Sequence, residues 1–289
     1  MLRGLYTAAA GMVTQQRRHD TVTNNVSNLN TPGFKQVNAV ARSFPDMLIS
    51  IMATENSPQR PIGVVNTGVF AEESLSMHLQ GDVKETGRNF DFALLSDIEV
   101  PGMAFDASGK AVDANGEVTF QPQAFFTLQN DEGEIRYTRD GNFTLDEAGS
   151  LVTADGSSVL GVDGAPIQFA PDALPDKLRM TADQRFIDET TGADTGVQLL
   201  ITRVDNPNAL VREGNSKFRV EGEDALAQPL PAGERVEVRQ GFLELSNVDT
   251  TQSMIDLMAA ARAYEANQKM VQYYDASLEK AVNEVGRVM

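Results

Sequence analysis

The sequence contains no cysteine and only two histidines, His19 and His78, among its 289 residues. The first absence excludes a disulfide framework, a thiol nucleophile and a cysteine zinc site. The two histidines lie in distant segments, so histidine catalysis and metal binding are thinly supplied. Basic charge is also scarce: 24 Lys and Arg stand against 41 Asp and Glu, a net charge of −17. That argues against a general nucleic-acid binder, which needs a basic face to displace counterions. It also argues against adsorption to anionic lipid. No apolar run approaches the roughly 18 residues of a membrane span. The longest candidate, residues 47–53, is interrupted by Ser50. The N-terminus has no continuous apolar stretch and turns polar by Gln15, so no cleavable secretory signal is expected.

What is present is enough chain for more than one domain, 41% of it hydrophobic. The acidic charge is concentrated in the middle: residues 1–40 carry +3, residues 250–289 carry −1, and residues 41–249 carry −19. The ends also differ from the middle in hydrophobic period. Leu5, Ala8, Met12, Gln15, His19, Val22, Val26 and Leu29 step by three and four, one face of a helix at the period of a coiled-coil seam. Asn24, Asn25, Asn28 and Asn30 then lower helix propensity. Thr31-Pro32-Gly33 stops the helix, because proline excludes the residue before it from helical backbone. At the other end Leu257, Ala261, Tyr264, Gln268, Val271, Asp275, Leu278, Val282 and Val285 repeat the pattern, with Ser246-Asn247 or Asp249-Thr250 as caps. One such stripe is ordinarily the core face of a globular helix. Two of them bracketing a β-rich middle predict that the termini pack together, or with neighbouring copies, as a unit of their own.

The middle reads as strands and tight turns. Segments 124–129, 134–139, 142–145 and 151–153 are separated by Asn130-Asp131-Glu132-Gly133, Asp140-Gly141 and Asp146-Glu147-Ala148-Gly149, and Ala154-Asp155-Gly156 follows the last. This predicts an antiparallel meander, since Asp, Asn and Gly tolerate left-handed backbone. A second group of strands is expected at 197–204, 217–220 and 235–238. The predicted class is α+β: long terminal helices forming a paired, coiled-coil terminal domain, and a central antiparallel β domain. The expected divisions are 1–33, a connector at 34–65, a β domain at 66–248 with an inserted hairpin-like segment at 96–123, and the C-terminal helix from 249 to 289.

Candidate chemistry is weak. His19 falls on the helical seam, and His78, in an alternating segment, is expected on a strand surface. Gly161-Val162-Asp163-Gly164 lacks the spacing of a phosphate loop. Asp106-Ala107-Ser108-Gly109 is echoed by Asp113-Ala114-Asn115-Gly116, but without the ligand spacing of a calcium loop, so two hairpin turns are expected there. Carboxylates abound, yet without a pocket their number points to no glycosidase. Catalytic, cofactor and metal sites are all expected to be absent.

Several runs resemble the flagellar rod and hook protein family of bacteria, over nearly the whole chain. They include Leu5-Tyr6-Thr7-Ala8-Ala9-Ala10-Gly11-Met12, and Asn24-Asn25-Val26-Ser27-Asn28-Leu29-Asn30-Thr31-Pro32-Gly33-Phe34-Lys35, which is similar to the basal-body rod signature. Gln80-Gly81-Asp82-Val83, Tyr137-Thr138-Arg139-Asp140-Gly141-Asn142-Phe143, Ser246-Asn247-Val248 and Arg262-Ala263-Tyr264-Glu265 match further family segments. Arg3-Gly4-Leu5-Tyr6-Thr7 with Gln15-Gln16-Arg17-Arg18 looks most like the rod subunits of Gram-positive bacteria. Residues 96–123 intervene where similar proteins join their strands almost directly.

The resemblance implies a structural axial subunit that is not an enzyme. Such a subunit is exported through the flagellar type III apparatus without a cleaved signal. It polymerises with copies of itself, other rod subunits and hook protein, with no nucleic acid or membrane insertion. The terminal helices would form the inner tube and the β domain its outside, transmitting torque from motor to hook. Leu5, Met12, Val22, Val26, Leu29, Leu257, Ala261, Tyr264, Val271, Leu278, Val282 and Val285 are the expected assembly residues. A capping or regulatory member of the same family, and more remotely a secreted cell-wall glycan hydrolase, are the alternative readings.

Overall fold

The computed structural model describes residues 2–51, 60–98, 100–106, 109–112, 116–169, 177–181, 183–189, 192–222, 227–231 and 234–285. The chain divides into two compact units. Unit 1 joins residues 1–27, 37–75 and 249–289; unit 2 joins 28–36 and 76–248. The connector expected at 34–65 is therefore not one element. Residues 28–36 belong with the β unit, and residues 37–75 join the helices.

In unit 1 the two long periodic segments are helices, α1 (Leu2–Ser27) and α2 (Thr250–Lys280), the latter prolonged by a π-helical turn, Ala281–Val285. Asp249 caps α2, its carboxylate accepting the Gln252 N–H at 2.9 Å. The helices pack along each other. Gly4 lies against Tyr274, Gly11 against Asn267, and Arg18 pairs with Asp256 at 2.9 Å, so they run antiparallel. Two hairpin-like ladders complete the unit: Ala41–Ser43 with Val69–Ala71, and Met47–Ile51 with Arg60–Val65.

Unit 2 is built on the strand Gln123–Gln129, buried from its first residue to Leu128. Alternation sends its side chains to two cores. Ala124, Phe126 and Leu128 enter the larger one, with Phe92, Phe143, Leu151, Phe186 and Ile201. Phe125 points to a smaller one with Val204, Leu210 and Phe218. Thr127, between them, shares a 2.6 Å hydrogen bond with Thr202. Ring contacts at 5–6 Å link Phe126 to Phe143, Phe143 to Phe92, and Phe92 to Phe186.

The turns form where Asn and Asp sit. Asn130 Oδ1 accepts from the N–H groups of Glu132 and Glu134, and Asp146 Oδ1 from those of Ala148 and Ser150. The ladder is antiparallel throughout, but it is not a simple meander. Ile135–Thr138 pairs with Gln123–Gln129 and then with Lys217–Val220, not with the next strand, Phe143–Leu145. That strand returns through Leu151–Thr153 and Ser158–Val159 to the opposite side of Gln123–Gln129. The chain leaves the sheet at Gly141, where a Cβ would fall 1.8 Å from the Phe92 carbonyl oxygen. Only glycine lets the crossing segment lie that close to the Phe92 strand.

Within 96–123, Lys110–Val112 and Val118–Phe120 pair as a two-stranded ladder. Asp106 closes the turn before it, its carboxylate accepting the Lys110 N–H at 3.0 Å. Residues 107, 108 and 113–115 of the repeated Asp-Ala-x-Gly lie outside the described residues. The boundaries of the insertion need correction: Ser96, Ile98 and Gln123 belong to the β core, Ile98 only 2% exposed. Met103, Val112 and Val118 by contrast are exposed. A two-stranded ladder with such a surface adds little stability. Replacing residues 101–119 by a short glycine linker should therefore leave a soluble protein with one cooperative β-unit melt. A molten or insoluble product in calorimetry would place the segment in the core.

Candidate functional site

Two arrangements gather the residues singled out in the sequence. The first is the helix pair of unit 1. Leu5, Met12 and Val26 are half-buried on α1 and Val22 is buried. On α2, Leu257, Ala261, Tyr264, Val271 and Leu278 are half-buried, while Val282 is 71% exposed and the Val285 side chain lies outside the described set. Leu29 lies beyond the end of α1. Close interhelical contacts are made by residues that the apolar pattern passed over. Tyr274 fills the space where a side chain at Gly4 would stand, and Asn267 does so at Gly11. Ala260 and Ser253 are buried on the same face of α2. Asn25, 2% exposed, exchanges two bonds with the Val37 backbone, at 2.8 and 3.0 Å.

The sides of the two helices turned away from each other carry exposed apolar side chains. Met254, Ile255, Met258 and Tyr273 are more than half exposed. At about 100° per residue they lie on the side of α2 turned away from α1. Tyr6 and Val13 do the same on α1. The motif residues Arg262 and Glu265 are exposed, while Ala263 is half-buried.

The second arrangement is a clasp inside unit 2, made by three segments far apart in sequence: 33–36, 77–82 and 244–248. The Glu244 carboxylate, fully buried, accepts from Lys35 Nζ at 2.5 Å, from the Gly81 N–H at 2.9 Å and from Arg139 Nε at 3.0 Å. Arg139 spends its other donors on the Ala124 carbonyl, Ser96 and Gln80. Lys35 also donates to the Leu79 carbonyl at 2.6 Å. The Asn247 side chain accepts the Gln36 N–H and donates to the carbonyls of Met77 and Leu79. Gly33, at φ +66°, gives its N–H to the Glu244 carbonyl, and a Cβ there would meet the Arg139 backbone at 2.5 Å. Its neighbour Pro32 is half-buried and Phe34 is buried beneath the Arg212 guanidinium. Thr31 donates to the Asn28 side chain, Ser246 accepts the Val248 N–H, and Val248 is buried; Asn24 is exposed on α1. The family motifs at the two chain ends are thus bonded to one another.

The electrostatics follow from one anion held between two cations. Burial pushes the Glu244 carboxyl up, but Arg139 and Lys35 outweigh it and hold it below the usual carboxylate range. Burial, reinforced by Arg139 and opposed by Glu244, lowers the Lys35 ammonium to about 8. His78 is not on a strand surface as expected. It is 8% exposed, edge-on to Phe125 and beside Phe218. Burial first, then Lys35, Arg212 and Arg139, holds its pKa well below the ordinary value. The alternating pattern at 74–79 hid this, because the segment runs into the clasp and not along a sheet edge.

No group of three or more His, Asp or Glu side chains suited to a metal ion occurs among the described residues. No described helix is long and apolar enough to cross a membrane. The two arrangements are architectural: in one unit a buried ionic clasp ties both connecting segments together, and in the other an antiparallel helix pair leaves large apolar side chains exposed.

Three family models match along the chain: flagella basal body rod protein at residues 5–35, the flagellar hook protein FlgE/F/G D1 domain at 121–184, and the flagellar basal body rod FlgEFG protein C-terminal region at 239–284. The chain is 34% identical to the flagellar hook-basal body complex protein FlhO of Bacillus subtilis, over 100% of both chains. It is 29% identical to the flagellar basal-body rod protein FlgG of the same organism, covering 98% of this chain and 99% of the relative. With FlgG of Borreliella burgdorferi it shares 30% identity over 98% of each. The chain belongs to the flagellar basal-body rod protein family, and it is a structural rod subunit of the flagellar basal body.

The buried neutral His78 sets a pH dependence. Its folded pKa lies below its unfolded value of about 6.5, so acid protonates the unfolded chain first. Stability from this group is complete above pH 6.5 and falls as pH drops. Asp140, raised by burial to about 6, gives the opposite slope over part of the same range. The comparison with His78→Leu isolates the histidine. In urea unfolding between pH 7.5 and 4.5, the wild-type advantage should shrink by about 1.4 kcal/mol per pH unit below 6.5. Parallel curves would show His78 to be charged or solvated in the folded state.

Proposed function

We propose that unit 1 is the polymerising part of the rod subunit. The helix pair lines an axial tube, and its exposed apolar side chains, Tyr6 and Val13 on α1 and Met254, Ile255, Met258 and Tyr273 on α2, are covered by neighbouring copies, other rod subunits or hook protein. The buried Val22 and the half-buried Leu5, Met12, Val26, Leu257, Ala261, Tyr264, Val271 and Leu278 hold the pair together. Torque passes from motor to hook through these helices. The subunit leaves the cell through the flagellar type III apparatus without a cleaved signal. Its role is mechanical, not enzymatic.

The observation that carries this reading is the exposed apolar cluster on α2. Met254, Ile255 and Met258 sit together at i, i+1 and i+4, each more than half exposed, and such a cluster marks an interaction face. Charge supports it: unit 2 holds 30 acidic against 15 basic side chains, but unit 1 only 11 against 9. Copies packed through unit 1 repel one another far less than copies packed through unit 2 would.

Met258→Glu tests the reading. The position is exposed in the monomer, so stability should change by no more than about 0.5 kcal/mol. On a neighbour-covered face the new carboxylate would be buried without a partner. Cells should lose motility, and the variant should be missing from purified hook-basal bodies while its melt is unchanged. Normal swimming with the variant incorporated would remove this face from the assembly.

A further inference from the structure

The clasp around Glu244 is held differently from the rest of unit 2. The two hydrophobic cores are complete without it: none of their buried members comes from 28–36 or from 241–248. The segments of the clasp are held chiefly by hydrogen bonds and charge. Leu245 donates to the Asp82 carbonyl, Gly33 to the Glu244 carbonyl, Met77 to the Gln36 carbonyl, and Arg212 to the Lys35 carbonyl. At its centre one carboxylate meets two cations, all three side chains at most 1% exposed.

We propose that Glu244 is a closure latch: the segments 33–36, 77–82 and 244–248 form a separately opening unit that shuts on the finished sheet only when Glu244 seats between Lys35 and Arg139. Two physical facts drive this. Lys35 and Glu244 are 209 residues apart, so their contact closes a loop that holds nearly the whole unit. The entropy of such a closure is lost before any contact rewards it, unless the intervening chain is already folded. And before Glu244 arrives, seating segment 33–36 would leave Lys35 and Arg139 as two buried cations without an anion, which is strongly unfavourable. The N-terminal connector cannot dock early. The latch also sets the unit's weakest point: it can open and release both connectors while the sheet stays intact, the behaviour of a locally unfolding element.

Hydrogen exchange on the full chain, read by mass spectrometry, tests this with Glu244→Gln, which keeps size and removes the charge. Amides in the three segments should exchange at least about 100-fold faster than in the wild type, while Gln123–Gln129 and Ile135–Thr138 stay within about threefold. Lys35→Met, which leaves Arg139 and Glu244 as a balanced pair, should accelerate the same amides less than Glu244→Gln does. Unchanged exchange in the segments, or equal acceleration across the sheet, would overturn the latch. Should Glu244→Gln fail to fold, pulse labelling of the refolding wild type decides instead. Protection must appear in Gln123–Gln129 before it appears in 33–36 and 244–248; simultaneous or reversed order contradicts the proposal.

Discussion

One buried carboxylate organises the β unit's connection to the rest of the chain. Glu244 takes an ammonium, a guanidinium and a backbone N–H, each from a different segment. Ions of this kind contribute little net stability, because desolvation offsets most of their attraction. Their effect lies in specificity: two cations and one anion in a dry interior fit in one arrangement, and a missing member is costly. That constraint fixes where the chain after α1 and the chain before α2 enter unit 2. Gly33, Gly81 and Gly141 allow it, since a Cβ at each would strike a neighbouring backbone atom within 2.7 Å.

Much of this was legible in the sequence, and the exceptions have physical causes. The terminal helices followed from the three- and four-residue steps. The turns at Asn130, Asp140 and Asp146 followed from side chains that bond their own backbone. What periodicity could not give was the helix contact itself, which runs through Gly4, Gly11, Asn267 and Tyr274, none of which counts in an apolar stripe. Nor could local patterns give strand order. The Asp140-Gly141 turn signals a reversal, but only the approach of Phe92 shows that the chain crosses to the other side of the sheet. The 34–35 and 244–247 motifs were visible as family resemblance. Their bonding across the length of the chain was not, because nothing local to Lys35 calls for a carboxylate 209 residues away. His78 looked like a surface residue for the same reason.

The division of labour between the units is consistent with a part whose function is mechanical. Unit 2 has a well-filled core and most of the acidic charge. Unit 1 has a thin interior, a nearly balanced charge and large side chains facing outward. A helix pair with Met254, Met258 and Tyr273 exposed is poorly served by water, and adaptable methionine side chains suit a face that meets more than one kind of neighbour. Unit 2 buries Phe92, Phe125, Phe126, Phe143, Phe186 and Phe218 in its cores, whereas unit 1 leaves Tyr6, Val13, Met254, Ile255, Met258 and Tyr273 exposed on its helices.

The absence of native cysteine makes a direct test of this account straightforward. A single Met258→Cys substitution, probed with a maleimide, reports whether that face is covered, and Glu132→Cys in an exposed turn of unit 2 serves as reference. The account predicts complete labelling at both positions in the purified monomer. In isolated hook-basal bodies position 258 should be protected while position 132 still reacts. Equal labelling of position 258 in monomer and basal body would contradict it.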